Sequence, residues 1–333
     1  MAIAVMMVNM GGPESLESVE PYLKNIFSDP DIIDIPFPGF IRKRFSEWMA
    51  AIRAPKSREI YEKLNGSTPL TKISFDQAKA LETILNSEVT GQFKTFTAMR
   101  YWQPLMEDVW SKITADKFEN VIILSMYPFY SSTTTGSIKK LINRLNSNGD
   151  FSAEDLIFID RYGDHSGFIQ AMAKKINQTI IEKGFENRDN INLLCSAHSI
   201  PLKRIRQGDP YQEEVESAFD SLKRELLPNI TATLGYQSKI GPVKWLGPKS
   251  SDQIINLSKK DFKDLFVYPL GFVADNSETI YEIGMLFKDL AKEHGIEKYY
   301  RIDSLNTDEN FIACLKEIIL QKLSTQELKD ENG

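Results

Sequence analysis

Cysteine is nearly absent: Cys195 and Cys314 are the only two in 333 residues, far apart and each inside an apolar stretch. Such a pair supports neither a disulfide framework nor a four-thiolate metal cluster, and it suits a reducing compartment. Histidine is scarce too, limited to His165, His198 and His294. No apolar run approaches the roughly 20 residues that span a bilayer. The apolar start, MAIAVMMVNMGGPES, has no basic segment ahead of it, so it reads as a buried first strand and not as a signal peptide. Basic charge is not in surplus: the net charge of −6 gives no general affinity for phosphate backbones, and nucleic acid is not an expected partner. Standard chemical signatures are also missing. There is no HExxH, CxxC pair, EF-hand loop or Walker lysine, and the GGP at 11–13 lacks dinucleotide spacing. Ser-Ala-His-Ser-Ile-Pro is not a nucleophile elbow, and no triad is evident.

What remains is an ordinary globular composition, 42% hydrophobic and 26% charged, long enough for two domains. Short apolar runs at 2–10, 93–99, 120–127, 155–161, 191–198, 230–236, 264–271 and 297–302 alternate with longer stretches of helical periodicity. The helical stretches are 14–27, 40–64, 72–87, 104–115, 134–147, 165–183, 210–227, 277–294 and 308–323. Strands regularly separated by helices imply parallel βαβ units, an α/β class with helices on both faces of a sheet. The segments 120–141 and 264–286 both read as strand, aromatic-rich loop and helix, and MMVNMGGPES is echoed by LLCSAHSIPL. These echoes suggest two similar lobes, 1–150 and 151–305, then a helix over 306–324 and a frayed charged tail over 325–333.

In open α/β sheets ligands bind beyond the carboxyl ends of the strands, which singles out a few loops. His198 follows the apolar run INLLCSA and therefore stands at such an end, whereas His165 opens a helix and His294 closes one. A packed strand-end histidine would look the same, and position alone leaves both readings open. In ADNSETIYEIG, Asp275 is well explained as a helix cap. Glu278 and Glu282, four apart, share a helical face and suit metal or proton handling. One imidazole with carboxylates makes a site of intermediate softness, better at holding a metal briefly than permanently. Aromatics cluster beside cations in the same loops: Tyr101 and Trp102 after Arg100, then Tyr127, Phe129 and Tyr130, then Tyr236 and Trp245 around Lys239. Buried core is the usual account of aromatics; a flat, apolar, acid-bearing ligand is the functional one.

Taken together, NMGGPE, RYWQPL, YPFYSSTTTGS, SAHSIP followed by RQGDPYQEEV, YQSKIGPVKWLGP and ETIYEI resemble the motifs of the ferrochelatase family, in that family's order, from about residue 3 to about residue 320. The resemblance implies two Rossmann-like lobes, each a doubly wound parallel four-stranded sheet, with a porphyrin cleft between them, and a last helix returning to the first lobe. It implies insertion of ferrous iron into protoporphyrin IX, with His198 as the essential imidazole, Glu278 as the carboxylate opposite, and Glu282 as a further metal contact. By similarity Met10, Arg100, Tyr101, Tyr130 and Trp245 would line the macrocycle, and Arg53, Tyr61 and Thr68 would meet its propionates. A segment at about 35–60 resembles the family's apolar lip, which can rest on a membrane. The implied location is the cytoplasm, peripheral to the inner membrane face, with a porphyrin-supplying oxidase as a protein partner. Iron enters as substrate, so no permanently bound cofactor is expected, and the cysteines of an iron–sulfur cluster are missing.

The chain also departs from the family pattern. Asn276 stands where the animal-like branch has histidine, and Gly284 and Leu286 interrupt the acidic series that continues after ETIYE in other members. Ile52 and Glu62 are not basic where some relatives carry arginine. Two other functions compete with the first: insertion into coproporphyrin III, whose four propionates call for more cations, and non-catalytic tetrapyrrole binding on the same fold.

Overall fold

The computed structural model describes residues 2–32, 39–88, 92–239, 241, 243–260 and 263–330. Residues 33–38, where the expected lip begins, and 331–333 of the expected tail lie outside the described residues. The chain divides into two compact units, Met1–Arg161 with Ile312–Gly333, and Tyr162–Phe311.

The first unit is built on β1 (Ala2–Asn9), β2 (Gln92–Met99), β3 (Asn120–Ser125) and β4 (Leu156–Ile159), all parallel, in the order β2-β1-β3-β4. Its helices are α1 (Val19–Ser28), α2 (Gly39–Lys63), α3 (Leu70–Glu88), α4 (Met106–Ala115) and α5 (Thr135–Leu145). The second unit carries α6 (Ser166–Glu182), β5 (Ile191–His198), α7 (Leu202–Arg206), α8 (Tyr211–Glu225), β6 (Ile230–Gln237), α9 (Ser250–Ser258) and β7 (Asp264–Tyr268). A π-helix (Glu278–Leu286), α10 (Phe287–Glu293) and β8 (Lys298–Arg301) follow it. This sheet is also parallel, ordered β6-β5-β7-β8, which repeats the first order four strands later. The final helix, α11 (Glu309–Asp330), passes into the first unit.

All eight expected strands are present, and the reason is burial. Ile3–Asn9 of β1 and Ile191–Ala197 of β5 are buried at every position. Strands covered by helices on both faces are continuous apolar runs, the pattern most easily seen in a sequence. The expected boundary at 150 would sever β4 from β3, with which it pairs, and the division falls instead after Arg161. The chain also stays helical to Asp330, past the expected end at 324. α9 was not expected: it buries only Ile254 and Leu257 among its apolar residues, too few to establish a period. The helix expected over 277–294 opens as nine residues of π-helix before becoming α10.

Small residues set the packing of α2. Its buried face is Ser46, Ala50, Ala54 and Tyr61, and the Ser28 hydroxyl of α1 lies 3.0 Å from that of Ser46. Short side chains at four-residue spacing let the two helices approach, leaving Phe40, Trp48 and Ile52 of α2 exposed at 73%, 58% and 53%. Among the described residues no helix is long and apolar enough to cross a membrane.

Candidate active site

In the second sheet the chain leaves β5 to place β6 on one side and β7 on the other, so the carboxyl end of β5 is a topological switch point. Ligand crevices form at such points. His198 is the last residue of β5, β6 ends beside it at Gln237, and the segment after β7 leads to Glu278.

Two contacts fix His198. The Tyr211 hydroxyl donates to its carbonyl at 2.9 Å, and its Nδ1 lies 2.6 Å from the carbonyl oxygen of Ser199. A carbonyl only accepts, so this contact places a ring proton on Nδ1, and in the neutral ring Nε2 then carries the lone pair. Nε2 stands 3.5 Å from Oε2 of Glu278, both side chains being about one-third exposed, at 36% and 32%. A lone pair and a carboxylate facing each other repel unless something positive, a proton or a metal ion, lies between or beside them. The arrangement is a two-ended acceptor site.

Glu278 and Glu282 converge on Ser238. The Ser238 amide donates to Oε1 of Glu282 at 2.9 Å, and its hydroxyl oxygen lies 2.7 Å from Oε2 of Glu278 and 2.5 Å from Oε2 of Glu282. A hydroxyl has a single proton and cannot donate to both carboxylates. Burial, and then the charge of Glu278, push the Glu282 carboxyl above its ordinary value. Among the described residues no three His, Cys, Asp or Glu side chains are grouped so as to hold a metal ion.

The start of the π-helix is pinned from the opposite side. Asp275 accepts from Arg301 (2.6 Å), Thr279 (2.7 Å) and Asn306 (2.9 Å). Burial would raise this carboxyl, but the Arg301 charge and these hydrogen bonds outweigh it and hold it below the ordinary range. Asp275 is therefore more than the helix cap expected of it, since it ties β8 to the π-helix. Trp245 is half-buried, and its backbone bridges Pro201, two residues beyond Ser199.

The other expected residues belong to the first unit. Met10, Arg100 and Tyr101 meet at the ends of β1 and β2, where the amides of Arg100 and Tyr101 donate to the carbonyls of Asn9 (2.8 Å) and Met10 (3.0 Å). Asp29 ties the side chains together: its Oδ2 receives Arg100 at 2.9 Å, Tyr101 at 2.7 Å and Ser137 at 2.5 Å. Burial would raise the Asp29 carboxyl, but Ser137, Tyr101 and the Arg100 charge overcome this and depress it. Arg100 and Tyr101 are thus held to a buried carboxylate. Thr68 is buried against Gly12, its amide donating to Pro13, and Tyr61 lies on the buried face of α2. Arg53 lies half-buried on α2, and Tyr130 has the Arg161 guanidinium over its ring at 4.6 Å.

The sequence alone does not single out Asp29 or Ser238; the signal for Ser238 is its place in YQSK, directly after the strand that pairs with that of His198.

The ferrochelatase family model matches residues 2–323. The chain is 39% identical over 315 residues to the ferrochelatase of Aquifex aeolicus, covering 95% of this chain and 97% of that one. With the ferrochelatase of Geotalea uraniireducens it shares 40% identity over 324 residues, covering 97% and 98%. Among solved structures, SirB from Bacillus subtilis with Fe3+ has the same fold at 11% identity, over 98% of each chain and with a TM-score of 0.59. With this match running almost end to end, the chain belongs to the ferrochelatase family, the lyases that insert a metal ion into porphyrin.

Proposed function

We propose that this protein inserts ferrous iron into protoporphyrin IX, with His198 and Glu278 acting on the reacting centre. The observation that carries the reading is the 3.5 Å pair of acceptors, Nε2 of His198 and Oε2 of Glu278. Insertion of a divalent ion expels two pyrrole protons, so two neighbouring acceptors suit the reaction. The lone pair on Nε2 takes one proton, as a general base. Glu278 takes the other or meets the incoming ion, and Glu282 lies behind it through Ser238. By resemblance Met10, Arg100, Tyr101, Tyr130 and Trp245 are assigned to the macrocycle and Arg53, Tyr61 and Thr68 to its propionates, with Arg100 and Tyr101 held to Asp29. Iron is a substrate here, and the protein needs no resident cofactor.

The reading extends to α2. Phe40, Trp48 and Ile52 are exposed, with exposed Lys43 and Arg44 on the same helix. Apolar rings and aliphatic groups next to cations suit the surface of an anionic bilayer, which would place the enzyme at the inner membrane face. Co-sedimentation with phosphatidylglycerol vesicles that is abolished in Trp48→Ser/Ile52→Ser supports this; no sedimentation of the unaltered protein refutes it.

The test of the activity is an anaerobic assay in which protoporphyrin IX and coproporphyrin III are offered in parallel with ferrous iron and the visible spectrum is followed. Conversion of protoporphyrin is the expected result. Preference for coproporphyrin would replace the substrate, and a bound spectrum without conversion would make the protein a tetrapyrrole carrier.

A further inference from the structure

Ser238 has a left-handed backbone, φ 65°, a conformation that costs a residue with a Cβ free energy and that glycine would adopt freely. The strain is of the kind found where surrounding contacts over-determine a residue at a functional site. At Ser238 those contacts all point one way. The left-handed turn at the end of β6 aims the amide at Oε1 of Glu282 (2.9 Å) and brings the hydroxyl to Oε2 of both Glu278 (2.7 Å) and Glu282 (2.5 Å). One short residue thus spans two carboxylates that would otherwise repel each other across the face of the π-helix.

The preceding residue reinforces the geometry. Gln237 is 3% exposed, and its carboxamide is oriented by the Ser196 hydroxyl, which donates to Oε1 at 2.7 Å and is itself 2.7 Å from the Ser250 hydroxyl. With Oε1 engaged, the amino end is turned toward Oε2 of Glu278 (3.5 Å) and the Ser238 hydroxyl (3.4 Å). The buried chain Ser250–Ser196–Gln237 gives the corner a fixed support, and a supported donor holds a charged group with little reorganisation.

We propose that Ser238 is a positioning residue which, supported by Gln237, holds Glu278 and Glu282 together as one preassembled pair for the incoming divalent cation, so that it governs the use of metal and not of porphyrin. This rests on the proposed metal insertion and goes beyond it, because it assigns a role to a residue outside the imidazole and carboxylates. Without the hydroxyl, the two carboxylates separate and must be brought back together when the cation arrives, a cost that falls on metal capture.

The experiment is steady-state insertion, with Zn2+ in air and Fe2+ under anaerobic conditions, for the unaltered protein and for Ser238→Gly and Ser238→Ala. Ser238→Gly removes the hydroxyl while keeping the amide donor and relieving the left-handed strain, so it reports even where Ser238→Ala fails to fold. Both should raise KM for the metal about tenfold, the scale of one lost hydrogen bond to a charged group. KM for porphyrin and the porphyrin-bound spectrum should stay unchanged, with kcat within about threefold. A purely structural role would lower kcat through a smaller active fraction and leave the metal KM alone. That outcome, or a metal KM within about twofold of the unaltered protein, overturns the inference while metal insertion stands. No insertion by the unaltered protein overturns the functional reading and this inference with it.

Discussion

Nε2 of His198 faces Oε2 of Glu278 at 3.5 Å, while the other ring nitrogen is tied to the Ser199 carbonyl. The ring cannot turn over without losing that 2.6 Å contact, so its basic edge is committed to the carboxylate side. His198→Ala should therefore abolish insertion, a fall of about 100-fold or more, as expected for loss of a general base. Porphyrin affinity should change by less than about tenfold, or roughly 1.4 kcal/mol. Turnover is read by haem absorbance and affinity by fluorescence titration. Substantial turnover in the variant would remove His198 from the chemistry.

Among the described carboxylates of the first unit, Asp29 is the buried one and should matter most for folding. Its side chain is 1% exposed and its ion partner Arg100 18%. Asp29→Ala leaves a mostly buried guanidinium unpaired and should cost about 3 kcal/mol in urea unfolding at pH 7.

The same residue sets a pH dependence. An unfolded aspartate titrates near pH ~4, whereas the folded Asp29 carboxyl is depressed by Ser137, Tyr101 and Arg100 acting against burial. A depressed folded value gives stability that is complete above the unfolded pKa and is lost as pH falls through the folded one. The stability gap between the unaltered protein and Asp29→Asn should be constant near neutrality and shrink below pH ~4. A gap that widens on acidification would contradict the assignment.

Gly235 lies inside β6 because α9 crosses it closely. A Cβ there would meet Ser250 Cα and Oγ at 2.8 Å. Backbone cannot yield cheaply, so Gly235→Ala should cost about 1–3 kcal/mol and loosen the Ser250–Ser196 contact. Thermal unfolding measures the first effect. The second appears as a raised metal KM only if the Gln237 support is real.

Arg301 reaches Asp275 by passing over Gly284, where a Cβ would stand 3.2 Å from its Cδ. Arg301→Met leaves Asp275 buried without its cation, again about 3 kcal/mol. Amide exchange should quicken first in the π-helix, because Thr279 loses its fixed acceptor. Uniform exchange across the second unit would show that the clamp is not local.

The strands were legible because parallel strands covered on both faces are written as unbroken apolar runs, as in Ile3–Asn9. The places of His198 and Glu278 were legible, as a strand end and the helix start beside it, because the motifs around them resemble a family. The role of Asp29 was not, since its partners Arg100 and Ser137 are 71 and 108 residues away and no local pattern joins them. Nor was the role of Ser238. A serine in a loop has no periodicity, and only its φ of 65° shows that the backbone is bent to serve the side chain. The π-helix escaped because apolar spacing over nine residues does not separate an i→i+4 from an i→i+5 helix.

The last helix gives the chain an order of assembly. The first unit holds Met1–Arg161 and Ile312–Gly333, while everything between belongs to the second. A ribosome releases the middle of the chain before it has made α11, so the unit begun first is completed last. Until then the nascent chain carries an unfinished first sheet beside a second unit that already has all of its own sequence. Leu315 and Ile319, fully buried in the finished protein, are among the late apolar side chains that the first unit awaits. A stop codon shortly before residue 312 would leave the second unit's sequence whole and still deprive the first of its closing helix.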